Sequence, residues 1–252
     1  MSTLCHVVSK QSPPAGIYVC ALAQVNIERL IADHRHLLSP AEQSRSAGMS
    51  SDKVRQRFML ARIALRRLLA DAAGVVPAAL QIDIDAQGKP CLASHPGLEF
   101  NLSHSANYIA IAITQGVKVG VDVECLRRRD NIAEIARRFF SAAECQYLQR
   151  SGFAAADFYT LWTLKEAYVK ALGVGLVNSL SCCSFDLTAA IKLKDDHSEA
   201  HTAAFASYQL TLDDQLSVCT LAAAPSPLAL YAIDAELALA PLVPLSSRSS
   251  VT

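Results

Sequence analysis

One order of signals occurs twice in this chain of 252 residues. Ser39-Pro40-Ala41-Glu42 and Ser141-Ala142-Ala143-Glu144 each set a serine three residues before a glutamate, and proline follows the serine in the first copy. Such a serine accepts a hydrogen bond from the third amide of a helix while the glutamate reaches back to the serine's own amide, so each tetrapeptide starts a helix. Each is followed by a longer helical stretch led by a phenylalanine (Phe58; Phe158) and by short alternating segments. Those segments end in Asp122-Val123-Glu124 and in Asp234-Ala235-Glu236. A repeated element order signals duplication. The expected fold is α+β, with two similar halves, each a small antiparallel sheet with a long helix, packed as a pseudo-twofold intramolecular dimer around a ligand cleft. The expected boundaries are 1–119 and 120–240, followed by a serine-rich, disordered tail over 241–252.

Within that frame, 1–16 reads as a lead-in and Ile17 to Ala23 as a first strand. A helix is expected from Asp52 to Ala73, stopped by Gly74, with Phe58, Ala61, Leu65, Leu68 and Leu69 as its apolar stripe and Arg55, Arg62 and Arg66 on another face. Leu80, Ile82 and Ile84 alternate as a strand. After the turn Gln87-Gly88-Lys89-Pro90 come three alternating runs, Leu98 to Leu102, Ile109 to Ile113 and Val117 to Glu124, expected as an antiparallel meander. Ile132 to Phe140 and Ala156 to Leu172 read as helices, the latter ended by Gly173. Phe185 to Thr188, Ser207 to Leu212, Leu216 to Ala222 and Leu228 to Ala235 read as strands.

Composition narrows the function classes. Hydrophobic residues make up 52%, enough for a sizeable core. Lys+Arg and Asp+Glu both number 23, a balance that argues against a dedicated nucleic-acid binder. Met1 to Lys10 has no basic region followed by an apolar run, and the greasiest region, Leu221 to Val243, is broken by Pro225, Pro227, Asp234 and Glu236. No membrane association is expected. The eight cysteines form no Cys-x-x-Cys pair and read as reduced thiols of a cytoplasmic, monomeric protein.

The chemistry concentrates in two stretches. From Val117 to Glu124 the valines point one way, and Lys118, Gly120, Asp122 and Glu124 point the other. Two carboxylates on one face repel unless a divalent cation or basic side chains lie between them. Alone, such a triplet also suits a solvated strand. On the helix Trp162-Thr163-Leu164-Lys165-Glu166-Ala167-Tyr168-Val169-Lys170, Glu166 shares a face with Trp162 and Lys170. Three carboxylates, Asp122, Glu124 and Glu166, make an all-oxygen set suited to Mg²⁺, with Mn²⁺ as the alternative. Lys89 on a rigid turn, His104 at a strand end and Arg62 are each unremarkable singly. Together they offer several phosphate donors. Loops for dinucleotides or P-loop phosphates, and the Gly-x-Ser-x-Gly elbow, are missing from the sequence.

Five stretches in order resemble the 4′-phosphopantetheinyl transferase superfamily, specifically its larger Sfp-like type. They are Gly88-Lys89-Pro90, Phe100-Asn101-Leu102-Ser103-His104-Ser105, Gly120-Val121-Asp122-Val123-Glu124, Arg138-Phe139-Phe140-Ser141 with Glu144, and Trp162 to Lys170. The resemblance implies a pseudo-dimeric α+β fold and the activity of a holo-acyl-carrier-protein synthase. That activity is transfer of 4′-phosphopantetheine from coenzyme A to a serine of an apo carrier protein, releasing adenosine 3′,5′-bisphosphate. It implies that Asp122, Glu124 and Glu166 hold Mg²⁺, that His104 and Arg62 lie near the 3′-phosphate, and that Lys89 and Ser103 line the nucleotide site. Lys170 would reach the phosphate that departs or is attacked, with Lys165 also in the coenzyme A set. Glu166, Lys170 and Glu124 are then the catalytic residues, with the proton acceptor either Glu166 or a water held by Glu124.

Two departures stand out. The basic residues that the family sets ahead of the long helix are represented only by Lys53 and Arg55. Asp234-Ala235-Glu236 has no counterpart of Gly88-Lys89-Pro90 or Ser103-His104, so it is expected to be a structural relic. Carrier proteins are acidic, and Arg127, Arg128, Arg129, Arg137 and Arg138 flank the active carboxylates as expected docking contacts. Two other readings stay open: a metal-dependent enzyme acting on a phosphoanhydride or nucleotide without a carrier, and a non-catalytic nucleotide-binding module.

Overall fold

The computed structural model describes residues 15–127, 131–174, 180–181, 183–196, 202–222 and 228–250. The lead-in up to residue 14, and Arg128 and Arg129, lie outside the described residues. Close contacts divide the chain into a helical unit over 27–81 and a larger unit formed by 15–26 and the chain from 82 onward. This division differs from the expected halves, 1–119 and 120–240: the first strand groups with the sheets and the helices after it form their own unit.

The helical unit contains α1 (Ile27–His34), α2 (Pro40–Ala47) and α3 (Asp52–Ala73). The Ser39 capping box forms as expected: the Glu42 amide donates to Ser39 Oγ at 3.2 Å and the Ser39 amide to Glu42 Oε2 at 2.8 Å. Helix α3 starts at Ser51, whose hydroxyl accepts from the Val54 amide, and stops at Gly74, whose φ of 69° is a left-handed cap. It buries Leu60, Ile63, Leu65 and Leu69, while Phe58 is half-buried under the Arg45 guanidinium.

The larger unit begins with β1 (Gly16–Ala21), the small ladder of β2 (Asp83–Ile84) and β3 (Pro90–Cys91), β4 (Leu98–His104), β5 (Tyr108–Gln115) and β6 (Val119–Cys125). Then come α4 (Ile132–Phe139), α5 (Ala142–Arg150) and α6 (Ala155–Leu172). The chain continues with β7 (Cys183–Asp186), β8 (Lys192–Asp196), β9 (Ala204–Thr211), β10 (Asp214–Thr220), β11 (Ala229–Ile233), β12 (Leu239–Pro241) and β13 (Ser246–Ser249). One sheet has the order β12-β11-β1-β5-β4 and a second the order β13-β9-β10-β6. Their facing sides share a core in which Ile17, Val19, Ala110 and Ala112 meet Val119, Val121, Val123, Leu216 and Val218. Helix α6 packs on the other side of the second sheet, over β6 and β10. The mixed α+β class and its small, largely antiparallel sheets are as expected.

Three expectations change. The third run of the meander, β6, does not pair with β5 and joins β10 in the other sheet. Its outer amides are satisfied by side chains instead of a strand: the Val121 amide donates to Asn101 Oδ1 at 3.0 Å and the Val123 amide to Ser103 Oγ at 3.4 Å. The segment from Leu80 to Ile84 is a strand only over Asp83–Ile84. The tail is not disordered throughout: β13 pairs antiparallel with β9, and β12 with β11. Those strands are held by backbone ladders while their side chains are exposed, so no apolar pattern marks them. Among the described residues no helix is long and apolar enough to cross a membrane, and the six described cysteines are free thiols.

Candidate active site

The alternation of β6 decides which side chains meet α6. Its valines enter the core between the sheets, which turns Gly120 and Asp122 toward the helix. A Cβ at position 120 would collide with the Ala167 carbonyl oxygen and lie 2.5 Å from the Ala171 amide nitrogen. Gly120 is therefore what lets α6 lie directly on the strand, and this close approach brings α6 side chains to Asp122. Lys170 Nζ donates to Asp122 Oδ1 at 2.6 Å, to Ser103 Oγ at 3.2 Å and to the Val121 carbonyl at 3.4 Å. Ser103 Oγ in turn donates to Asp122 Oδ1 at 2.8 Å. The second Asp122 oxygen, Oδ2, is buried without a hydrogen-bond partner.

Glu166 lies on the same stretch of α6 and is buried. Burial, with the Asp122 and Glu124 charges adding to it and Lys170 opposing, pushes its carboxyl up to about 7. The direction follows from burying a carboxyl, and secondarily from placing it where two carboxylates already repel it. Among the described residues no three histidine, cysteine, aspartate or glutamate side chains converge closely enough to form a ready-made metal cage. The chemistry of the donors nonetheless fits a hard cation: the ligands are all oxygen, one carboxylate oxygen is buried and unpaired, and a neighbouring carboxyl resists ionising until positive charge arrives.

Beside this cluster, Gly88, Lys89, Pro90, Asn101, Lys170 and Gly173 line a cleft of about 160 Å³. Lys89 Nζ donates to the Val119 carbonyl at 3.2 Å, with Glu99 at 3.9 Å, and burial pulls its ammonium below the usual lysine range. Two ammonium groups thus face one cleft. His104 is exposed at the end of β4.

Two lengths of the chain match family descriptions. Residues 28–116 match the N-terminal region of 4′-phosphopantetheinyl transferases, and residues 118–221 match the 4′-phosphopantetheinyl transferase superfamily. The transferase psf-1 of Bacillus pumilus is 31% identical over 171 residues, which cover 66% of this chain and 71% of that protein. This chain belongs to the 4′-phosphopantetheinyl transferase superfamily. Its Sfp-like character is also seen against the 4′-phosphopantetheinyl transferase Sfp of Bacillus subtilis strain 168, 27% identical over 81% of this chain and 90% of that one. HetI of a Nostoc species is 34% identical over 59% of this chain and 65% of its own. The matched stretch spans 59% to 65% of the length of three relatives.

For a member of this superfamily, the structure places some expected residues otherwise. Lys165 is fully buried: its ammonium is 3.0 Å from Glu144 Oε2, donates to the Leu180 carbonyl at 3.0 Å and to the Cys183 carbonyl, and sits over the Phe140 ring. It is not among the residues that line the cleft, in contrast to the expected coenzyme A contact. Lys165 precedes Glu166 by one residue on α6, so it leaves the face that Glu166 and Lys170 share. Arg62 pairs with Glu42 inside the helical unit, beside Arg66, which also donates to the carbonyls of Pro77 and Leu80. Arg127, Arg137 and Arg138 are exposed. Asp234, in the second acidic triplet, accepts from the amides of Glu236 and Ala238 and so closes a turn. The residue that sequence reasoning left without a role is Asn101. It holds the β6 backbone and also lines the cleft; its i, i+2 spacing to Ser103 already put both on one face.

Proposed function

We propose that this protein transfers the 4′-phosphopantetheine group of coenzyme A to a serine of an apo carrier protein in a Mg²⁺-dependent reaction. The observation that carries the reading is the meeting of Asp122, Glu166, Lys170 and Ser103 beside a cleft shared by Lys89. Such a site suits phosphoryl transfer, where positioning and charge neutralisation supply most of the rate. Asp122, Glu124 and Glu166 are the residues that would hold the cation. Bound there, it would neutralise charge on the pyrophosphate. Lys89 and Ser103 are proposed to contact the nucleotide, and His104 the 3′-phosphate. Lys170, already turned toward the carboxylates, moves its ammonium onto the phosphate that is attacked.

The incoming serine oxygen bonds to the phosphorus that carries the pantetheine. The bond from that phosphorus to the bridging oxygen breaks, and adenosine 3′,5′-bisphosphate leaves with the electron pair. The serine proton passes to Glu166 or to a water held by Glu124. Arg127, Arg128, Arg129, Arg137 and Arg138 are proposed to meet the acidic carrier. The protein is proposed to act as a cytoplasmic monomer, with its two halves as a pseudo-dimer. Incubation with coenzyme A, Mg²⁺ and an apo carrier protein tests the reading. A carrier mass raised by one phosphopantetheine supports it. Pyrophosphate cleavage without a carrier, or binding without turnover, would replace it with one of the two alternatives.

A further inference from the structure

Below the carboxylates, the sheet face under α6 carries a row of polar side chains. Strand β10 sets Ser217 opposite Asp122 and Gln215 opposite Glu124, and β9 sets Ser207 opposite Ser217. Directly opposed residues share a face, so these side chains lie under α6 with the two acids. One row along, the same face holds Gly120, Cys219 and Phe205, with no hydroxyl or amide. The polar rows therefore coincide with the acidic positions of β6.

These groups form one directed chain. Gln215 Nε2 donates to Ser207 Oγ at 2.7 Å, Ser207 and Ser217 hydroxyls lie 2.9 Å apart, and Ser217 Oγ is 2.7 Å from Thr163 Oγ1. Thr163 donates to the Tyr159 carbonyl at 2.9 Å. Read in that direction, each hydroxyl donates once and accepts once, so no buried group in the chain lacks a partner. Thr163 and Ser217 are wholly shielded from solvent. Apolar residues would fill this interior equally well and carry no desolvation cost. What a hydrogen bond adds is a fixed register between α6 and β10. Thr163 precedes Glu166 by three residues, so that bond sets where Glu166 stands over the row that holds Asp122.

We propose that Thr163 and Ser217 are positioning residues that fix the register of Glu166 over the row holding Asp122, so that these carboxylates and Glu124 can close on one divalent cation when it binds. The inference rests on the proposed cation-binding role of those carboxylates. It is tested by titrating Mn²⁺ into the coenzyme-free protein, alongside kcat and KM for carrier modification. Thr163→Val keeps the shape and removes the hydroxyl. It is expected to weaken Mn²⁺ about 10-fold, as loss of an outer-shell partner does, and to lower kcat with little change in the KM for coenzyme A. Thr163→Ser restores both, and Ser217→Ala behaves as Thr163→Val. Val218→Ala opens a cavity on the opposite side of β10 and is expected to lower stability while leaving Mn²⁺ affinity unchanged. Wild-type Mn²⁺ affinity in Thr163→Val, or an equal loss in Val218→Ala, overturns the positioning role. If Glu166→Gln binds Mn²⁺ as tightly as the wild type, the carboxylate reading itself falls and takes this inference with it.

Discussion

Glu42 and Glu144 do the same two jobs in different places. Each closes a capping box at the start of a short helix, and each offers its carboxylate to cations from the long helix that follows. For Glu42 the cations are Arg62 and Arg66 of α3. For Glu144 the cation is Lys165 of α6, and its other oxygen accepts from the Phe185 amide at 2.9 Å. The difference lies in escape to water. Arg62 keeps part of its side chain exposed, whereas Lys165 has no exposure and, like Arg66, would be left with two carbonyls but no counter-charge. The duplicated signal is thus an anchor for a long helix, and in the second copy the anchor sits next to Glu166, the carboxylate proposed to react.

The comparison can be broken by removing each anchor. Glu144→Ala strands a buried ammonium and is expected to cost about 3–5 kcal/mol. Glu42→Ala should cost about 2 kcal/mol, since its arginines retain other partners or water. Urea unfolding of both variants checks the order, and equal losses would contradict the role given to Lys165 burial. Gly120→Ala tests the close approach that the second anchor maintains. It should destabilise by about 1–3 kcal/mol through overpacking and weaken Mn²⁺ binding, because α6 must lift off β6.

A smaller effect separates the two copies by pH. The folded protein holds a proton on Glu166 up to about pH 7, whereas an ordinary glutamate, as in the unfolded chain, releases it near 4.5. The native state binds more protons across that window, so stability of the metal-free protein falls as pH rises through it. Glu166→Gln should flatten that decline, read as Tm against pH. A divalent cation needs the ionised carboxylate, so its affinity should rise over the same window. The smallest effect is expected at the second acidic triplet. Asp234→Ala removes turn hydrogen bonds at a cost of about 1 kcal/mol and should leave Mn²⁺ binding and turnover unchanged. A second required cation site lost in that variant would overturn its structural role.

Local signals carried much of this architecture. The serine–glutamate spacings gave both capping boxes, and Gly74 and Gly173 gave the ends of α3 and α6, both left-handed caps. Strict alternation placed Asp122 on one face and the valines on the other. Partner choice was not legible. Whether β6 continues a meander or crosses to β10 depends on Asn101 and Ser103 reaching its amides, and periodicity says nothing of that. Strand β1 pairs in parallel with β11 from the far end of the chain, a long-range pairing that no local pattern marks. The β13 segment is a serine-rich edge strand held mainly by its backbone ladder. Lys165 was legible in principle, since one helical residue separates it from the Glu166 face.

The central claim is that Asp122, Glu124 and Glu166 act as one cation-dependent site for phosphopantetheine transfer. Its most direct measurement is the mass of an apo carrier protein after incubation with coenzyme A and saturating Mg²⁺, using the wild type and Glu166→Gln in parallel. The wild type should add one phosphopantetheine, and Glu166→Gln should leave the carrier largely unmodified while remaining folded. Near-normal modification by Glu166→Gln would contradict the account.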